Sequence, residues 1–299
     1  MGKIAFVFSG QGDQYPGMGK ELAEKYPAAA AVFAACDAVR PGTSAQCFAG
    51  TEDELRETRN TQPCLYALEL AAAAALKERG VRPDAAAGFS LGEVAAAAVS
   101  GLFDPETGFR LVCRRGELMQ READKADTAM AAVLKLTPEQ VREICSRYPD
   151  VYPVNFNCPG QITVSGLSDR MADFFTDVKA AGGRAIPLKV KGAFHSPFMR
   201  TAAEDFAEDL ARAEFRETTV PLWSDMTGEP YAGNPAELLS GQICSPVLWE
   251  TVIRNMIAFG VDTFIEIGPG KTLCHMIGRI SAEVRAIGMT EYLAEVEAC

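Results

Sequence analysis

The stretch Ala85-Ala-Ala-Gly-Phe-Ser-Leu-Gly-Glu93 constrains this chain more than any other. Small apolar residues lead into Gly88-Phe89-Ser90-Leu91-Gly92, and a helix-forming run from Glu93 to Ser100 follows. The order reads as a nucleophile elbow: a buried strand ends, the chain turns sharply on Ser90, and a helix begins. Glycine is needed two residues to either side, because a Cβ there would meet the serine or the crossing backbone. The helix start aims free N–H groups at whatever the serine attacks. Such an elbow stands on a parallel sheet, so the motif predicts an α/β fold with its site at the carboxyl ends of the strands.

Lys3-Ile-Ala-Phe-Val-Phe8 is an almost unbroken apolar run, suited to a strand buried on both faces. The glycine-dense loop 9–19 follows it. A dinucleotide fingerprint starting at Gly10-x-Gly12 fails, because Tyr15 occupies the third glycine position and Pro16 spoils the helix start. What remains is a site loop carrying Gln11 and Gln14 as donors. Helices are expected at about 19–40, 60–77, 91–100 and 105–122. From about 128 the texture changes to strand, helix, two strands around Cys158-Pro159-Gly160, helix and strand. That is the β-α-β-β-α-β order of a ferredoxin-like unit. It predicts a small α+β domain, 127–191, inserted into an α/β-hydrolase-like domain made of 1–126 and 192–299. In the second half of that domain, helices are expected at 196–212, 248–259 and 271–280, and strands at 222–226 and 263–267.

Composition excludes several classes. A net charge of −11 argues against a nucleic-acid binder, which needs a basic face. No apolar run approaches the roughly 18 residues of a membrane span. The nine cysteines are scattered, without Cys-x-x-Cys or metal-ligand spacing, so reduced thiols in a cytoplasmic protein are expected and a metal site is not. The start of the chain has no signal-peptide shape.

A nucleophilic serine needs a base, and the chain has only two histidines. His195 lies in the Gly- and Pro-bounded loop Lys191-Gly-Ala-Phe-His-Ser-Pro-Phe198, at the junction of the two expected domains, where clefts form. His275 lies within a helical pattern and reads as an ordinary helix-surface side chain. Neutral imidazole at His195 can take the serine proton and return it. The group that orients it stays open between Asp225, Asp262 and a main-chain carbonyl. The N–H of Leu91 is the natural first oxyanion donor, and Gln11 can supply the second. Arg114 and Arg115 sit one helix beyond the elbow; one turned inward would hold a carboxylate bidentately.

Seven ordered segments carry a resemblance over essentially the whole chain: Phe8-Ser-Gly-Gln-Gly-Asp-Gln14, Gly88-Phe-Ser-Leu-Gly-Glu93, Arg115-Gly-Glu-Leu-Met-Gln120, Asn155-Phe-Asn-Cys-Pro-Gly-Gln161, Gly192-Ala-Phe-His-Ser196, Gln242-x-x-x-Pro246-Val247-x-Trp249 and Ile265-Glu-Ile-Gly-Pro-Gly270. The chain resembles the malonyl-CoA:acyl carrier protein transacylases of type II fatty acid synthesis and the acyltransferase domains of polyketide synthases. The resemblance implies an S-malonyltransferase that works by a ping-pong cycle through a malonyl-Ser90 intermediate. Its substrates would be malonyl-CoA and the phosphopantetheine thiol of acyl carrier protein, with no cofactor, and a monomer is expected. It implies Ser90 as nucleophile, His195 as base, Gln11 and Leu91 at the oxyanion hole, Arg115 on the malonyl carboxylate, and the main-chain carbonyl near Gln242 on the histidine. Phe194 would crowd a C2 branch, disfavouring methylmalonyl by about 1–3 kcal/mol. Lys189, Lys191 and Arg184 are expected to rim the cleft and attract an acidic carrier protein.

The chain departs from the family's usual residues at three places: Phe89 stands where His is frequent, Asp13 where Ser is, and Ser9 where Pro is. Three other readings compete. They are a polyketide-serving acyltransferase of the same chemistry, a serine acyl hydrolase, and a non-catalytic carrier-protein docking module. A hydrolase of neutral esters has no use for a buried cation, and a docking module has none for an intact Ser90/His195 pair.

Overall fold

The computed structural model describes residues 2–298. Its strands are β1 (Lys3–Phe8), β2 (Ala85–Gly88), β3 (Thr128–Leu134), β4 (Val151–Cys158), β5 (Gln161–Leu167), β6 (Arg184–Lys191), β7 (Leu222–Trp223), β8 (Val261–Ile267) and β9 (Arg285–Gly288). They form two sheets, one of order β7-β2-β1-β8-β9 and one of order β4-β5-β3-β6. Every pairing in the first is parallel and every pairing in the second antiparallel.

The parallel sheet explains the apolar runs. Along β1, Phe6 and Phe8 face one core, which includes the helix Thr58–Glu78, while Ala5 and Val7 face another, which includes the helix Trp249–Ala258. In β8, Ile265 and Ile267 join the first core and Phe264 the second. Successive side chains point to opposite faces, and both faces are covered, so nothing in these strands can be polar without a partner. The antiparallel sheet packs on one side against the helices Pro138–Cys145 and Ser168–Ala180, through Val141, Ile144, Met171 and Phe174.

β4 is tied to the segment that leads into the helix Trp249–Ala258. Phe156 donates its N–H to the Val247 carbonyl at 2.8 Å, and Val247 donates to Val154 at 2.8 Å. A cleft runs between the carboxyl end of β1 and β2 and the open side of the antiparallel sheet.

Several expected elements differ. The helix expected over 19–40 is two, Lys20–Lys25 and Pro27–Val39, because Pro27 forces Tyr26 into extended geometry (φ −117°, ψ 114°). The expected helix 196–212 opens with a short 3₁₀ turn at Pro197–Met199 before Arg200–Leu210. The strand expected at 222–226 contains only Leu222–Trp223. The helices Thr43–Ala49 and Met289–Ala298 and β9 fall outside the expected elements, and so does Glu52–Arg56, although Thr51 and Glu54 form a capping box at its start.

Candidate active site

Ser90 sits at the junction of β2 and the helix Gly92–Val99, with φ of 56°. This is the left-handed region, costly for a residue with a side chain. Close packing explains the flanking glycines. A Cβ on Gly88 would lie 2.0 Å from the Glu93 nitrogen, and one on Gly92 would lie 2.4 Å from the Phe8 carbonyl oxygen. The turn therefore leans against the end of β1, and only glycine allows it. His195, with φ of 60°, is strained in the same way. Its loop follows β6 and is pinned by Ser196, whose hydroxyl donates to the Ala193 carbonyl at 2.6 Å.

The loop brings His195 Nε2 to 2.7 Å from Ser90 Oγ. On the other side of the ring, Nδ1 lies 3.0 Å from the main-chain carbonyl oxygen of Gln242. A carbonyl only accepts, so Nδ1 carries the proton and Nε2 presents its lone pair to the serine. Neither aspartate considered for this place fills it. Asp225 instead accepts the Ser90 backbone N–H at 2.6 Å. Asp262 is exposed near the opposite end of β8 and accepts from Thr263. His275 is exposed on the helix Thr272–Ile280. Burial, and then the nearby Arg115 cation, push the His195 imidazole down to about 4. It is therefore neutral near pH 7.

Of the two adjacent arginines, Arg114 is largely exposed and pairs with Asp209 at 2.9 Å. Arg115 points inward and is 1% exposed. Its Nη2 donates to Gln242 Oε1 at 2.7 Å and reaches Ser90 Oγ at 3.3 Å, and its Nη1 donates to Gln62 Oε1 at 2.8 Å. Its Nε–H is buried without a partner. Burial lowers its pKa to about 10, which leaves it charged at neutral pH. Arginine only donates, so the amides around it have a forced orientation. Gln62 accepts with Oε1 and donates with Nε2 to Thr58 Oγ1 at 2.9 Å, and Thr58 donates to Gln11 Oε1. With its side-chain oxygen held, Gln11 has its main-chain N–H free. Among the described residues, neither that N–H nor the Leu91 N–H donates to a protein acceptor.

The cleft has a volume of about 530 Å³. Its floor is Ser90, His195 and Gln11; its walls include Met119, Met130, Asn155 and Phe194. Phe194 is buried and Phe89 partly so. Phe89 stacks edge-on against Trp249 with ring centres 5.5 Å apart. It therefore presents an apolar wall beside Ser90 in the cleft. Asp13 lies against Gly270, where a Cβ would come within 2.2 Å of its carboxylate. Ser9 donates to buried Glu69 at 2.8 Å. Lys189 lies on the cleft wall, but Lys191 does not line it and neither does Arg184, which starts β6 about 17 Å from Lys189 at the usual strand rise.

Three polar residues of the site had escaped the sequence: Gln62, Thr58 and Glu93. Glu93 had a weak signal as a charged position in the alanine-rich helix Gly92–Val99, where burial demands a partner. Thr58 and Gln62 lie in the polar first turns of their helix and carried none.

A serine held by a glycine-flanked elbow, a neutral imidazole on its oxygen and two unused N–H groups beside it make up an acyl-transfer site on an α/β scaffold. The chain belongs to the acyl transferase family: the model of the "Acyl transferase domain" matches residues 5–292. It is 37% identical over 300 aligned positions to a malonyl CoA-acyl carrier protein transacylase of Bacillus subtilis, covering 97% of this chain and 94% of the relative. A crystal structure of a malonyl CoA-acyl carrier protein transacylase from Clostridium perfringens superposes with a TM-score of 0.94 at 36% identity, covering 99% of this chain and 98% of that one. A malonyl-transacylase solved in complex with a type II polyketide acyl-carrier protein superposes with a TM-score of 0.92 at 32% identity, covering 98% and 99%.

Proposed function

We propose that this acyltransferase moves the malonyl group of malonyl-CoA to the phosphopantetheine thiol of an acyl carrier protein through an ester on Ser90. The observation that carries the reading is the buried Arg115 guanidinium, 3.3 Å from Ser90 Oγ. It retains an unpartnered donor, and it lies within reach of a free carboxylate on an acyl group bonded to that oxygen. A neutral acyl group would bring no charged acceptor for that donor.

The chemistry follows from the hydrogen bonds. His195 Nε2 takes the Ser90 proton as Oγ bonds to the thioester carbon. The developing oxyanion is held by the N–H groups of Gln11 and Leu91. The C–S bond then breaks, and the imidazolium returns its proton to the CoA sulfur. In the second half-reaction Nε2 takes the proton of the carrier thiol, and the sulfur attacks the ester carbon. The C–Oγ bond breaks and Oγ recovers the proton. No cofactor enters.

On this reading the cleft lies between a discontinuous catalytic domain, 1–126 with 192–299, and a small domain, 127–191. Phe194 limits the C2 substituent. The protein works as a cytoplasmic monomer. All eight described cysteines are free, and no described helix is long and apolar enough to cross a membrane. Intact-mass measurement after exposure to malonyl-CoA tests the reading. The wild type gains one malonyl group, and holo carrier protein removes it. Ser90→Ala gains none, and a malonyl adduct on that variant overturns the assignment.

A further inference from the structure

The amide of the nucleophile is held from behind by a carboxyl group that the chemistry above does not use. Asp225 Oδ2 accepts the Ser90 N–H at 2.6 Å across 135 residues of sequence. The segment carrying Asp225 is fixed in turn: its carbonyl accepts from Leu248 N at 2.6 Å, and its own N–H donates to Glu93 Oε2 at 2.8 Å. Asp225 and Glu93 are both fully buried, and the Glu93 carboxylate sits directly against Asp225 through the Asp225 N–H.

Two carboxylates cannot both stay ionised in contact and away from water. The distribution of donors shows which one holds the proton. Glu93 receives three: Asp225 N and Gln242 Nε2 (3.1 Å) on Oε2, and Tyr231 Oη on Oε1. Asp225 receives only Ser90 N, and its Oδ1 is buried without a protein donor. An ionised group suits the first environment and a carboxylic acid the second.

We propose that Asp225, as a neutral carboxylic acid whose proton is retained by Glu93, is a positioning residue that holds the Ser90 amide in its left-handed conformation and so presents Oγ to His195. Burial, then the Glu93 charge, push the Asp225 pKa well above the usual carboxylate range, in agreement. The charged and titratable groups around the pair are Tyr231 on Glu93, Arg115 beyond Gln242, and His195 across the serine. With one proton shared, the buried charges near the nucleophile are one anion and one cation. Arg115 is then not outweighed by two carboxylates when an acyl carboxylate arrives.

The proposal rests on Ser90 being the nucleophile but not on which acyl group it carries, so the test uses a fluorophosphonate that modifies the active serine, together with malonyl-CoA turnover. Asparagine copies the shape and hydrogen bonding of a neutral aspartic acid. Asp225→Asn is expected to keep both the fluorophosphonate rate and malonyl kcat within about threefold of wild type. Asp225→Ala is expected to lower both by more than tenfold while malonyl-CoA KM changes little. In infrared difference spectra at pH 7 between wild type and Asp225→Asn, the wild type should show one additional carboxylic-acid C=O band, the Glu69 contribution cancelling between the two. Asparagine as damaging as alanine, alanine at wild-type rates, or an unchanged acid band would each overturn the proposal. Should the alanine variant fail to fold, the asparagine rates and the infrared band still decide it. Labelling lost even in the Ser90-intact wild type would instead indict the nucleophile assignment.

Discussion

The Nδ1 atom of His195 lies 3.0 Å from the main-chain carbonyl oxygen of Gln242, and among the described residues no carboxylate bonds to the ring. A carbonyl dipole fixes the tautomer as a carboxylate would, but it stabilises an imidazolium less. Burial and then the Arg115 cation outweigh the carbonyl's preference for the imidazolium and keep the imidazole neutral down to about pH 4.

That value sets a pH profile. His195 is an active base above its pKa and is lost as a base below it. The rate of fluorophosphonate labelling at Ser90 is expected to fall by half near pH 4, rather than near the ordinary histidine value of about 6.5. Replacing Arg115 with methionine removes the second cause of the depression, so the midpoint should move upward while burial keeps it below 6.5. His275→Ala, an exposed position, should leave the profile unchanged. A wild-type midpoint at 6.5 would contradict the geometry.

Arg115 is expected to decide which acyl group is accepted. For Arg115→Ala, malonyl-CoA kcat/KM should fall by about two to three orders of magnitude, the usual size for losing one partner of a buried charge pair. Acetyl-CoA should gain relative to malonyl-CoA. Steady-state competition between the two thioesters measures this, and an unchanged ratio would remove Arg115 from the carboxylate.

Charge reversal on β6 should act by position. Lys189→Glu is expected to raise KM for holo carrier protein about two- to fivefold at low salt, the scale of exposed charge pairs, and the effect should fade as salt screens it. Arg184→Glu, at the far end of the same strand, should change little. Equal effects would mean that the carrier protein docks elsewhere.

Glu69 provides a stability test. One oxygen accepts from Ser9 at 2.8 Å, while the other is buried without a partner. Burial raises its pKa well above the usual range. Its folded pKa exceeds its unfolded value of about 4.3, so the stability it contributes is complete below that value and declines as pH rises through the raised one. The decline is at most about 1.4 kcal/mol per pH unit. As pH rises above about 4.3, thermal melting temperatures should fall more steeply for wild type than for Glu69→Gln. Parallel slopes would show the carboxyl to be ionised already.

How much of this was legible from the chain depends on the range of each interaction. The elbow could be read because Gly88 and Gly92 make room for backbone only a few residues away and for the end of one neighbouring strand. His195 could be read because only one alternative existed; the residues alone left Arg114 and Arg115 equivalent, and Arg115 was singled out by the resemblance. Tyr26 and Pro27 show the opposite failure: a helical pattern was followed through a proline that interrupts it.

The sequence by itself determined the alternation of buried faces in β1 and β8, the turn on Ser90 and the identity of the nucleophile and its base. These follow from local backbone preference and from periodic burial. Only the tertiary structure decided what orients His195, which arginine turns inward, how Gln62 and Thr58 link Arg115 to Gln11, and which carboxyl holds the Ser90 amide. Those partners lie 47 residues apart for His195 and Gln242 and 135 for Ser90 and Asp225. A polar side chain in an apolar stretch announces that it needs a partner. Which partner it meets is set by strand order and by how the helices pack, because hydrogen bonds form only where those elements bring donor and acceptor within about 3 Å.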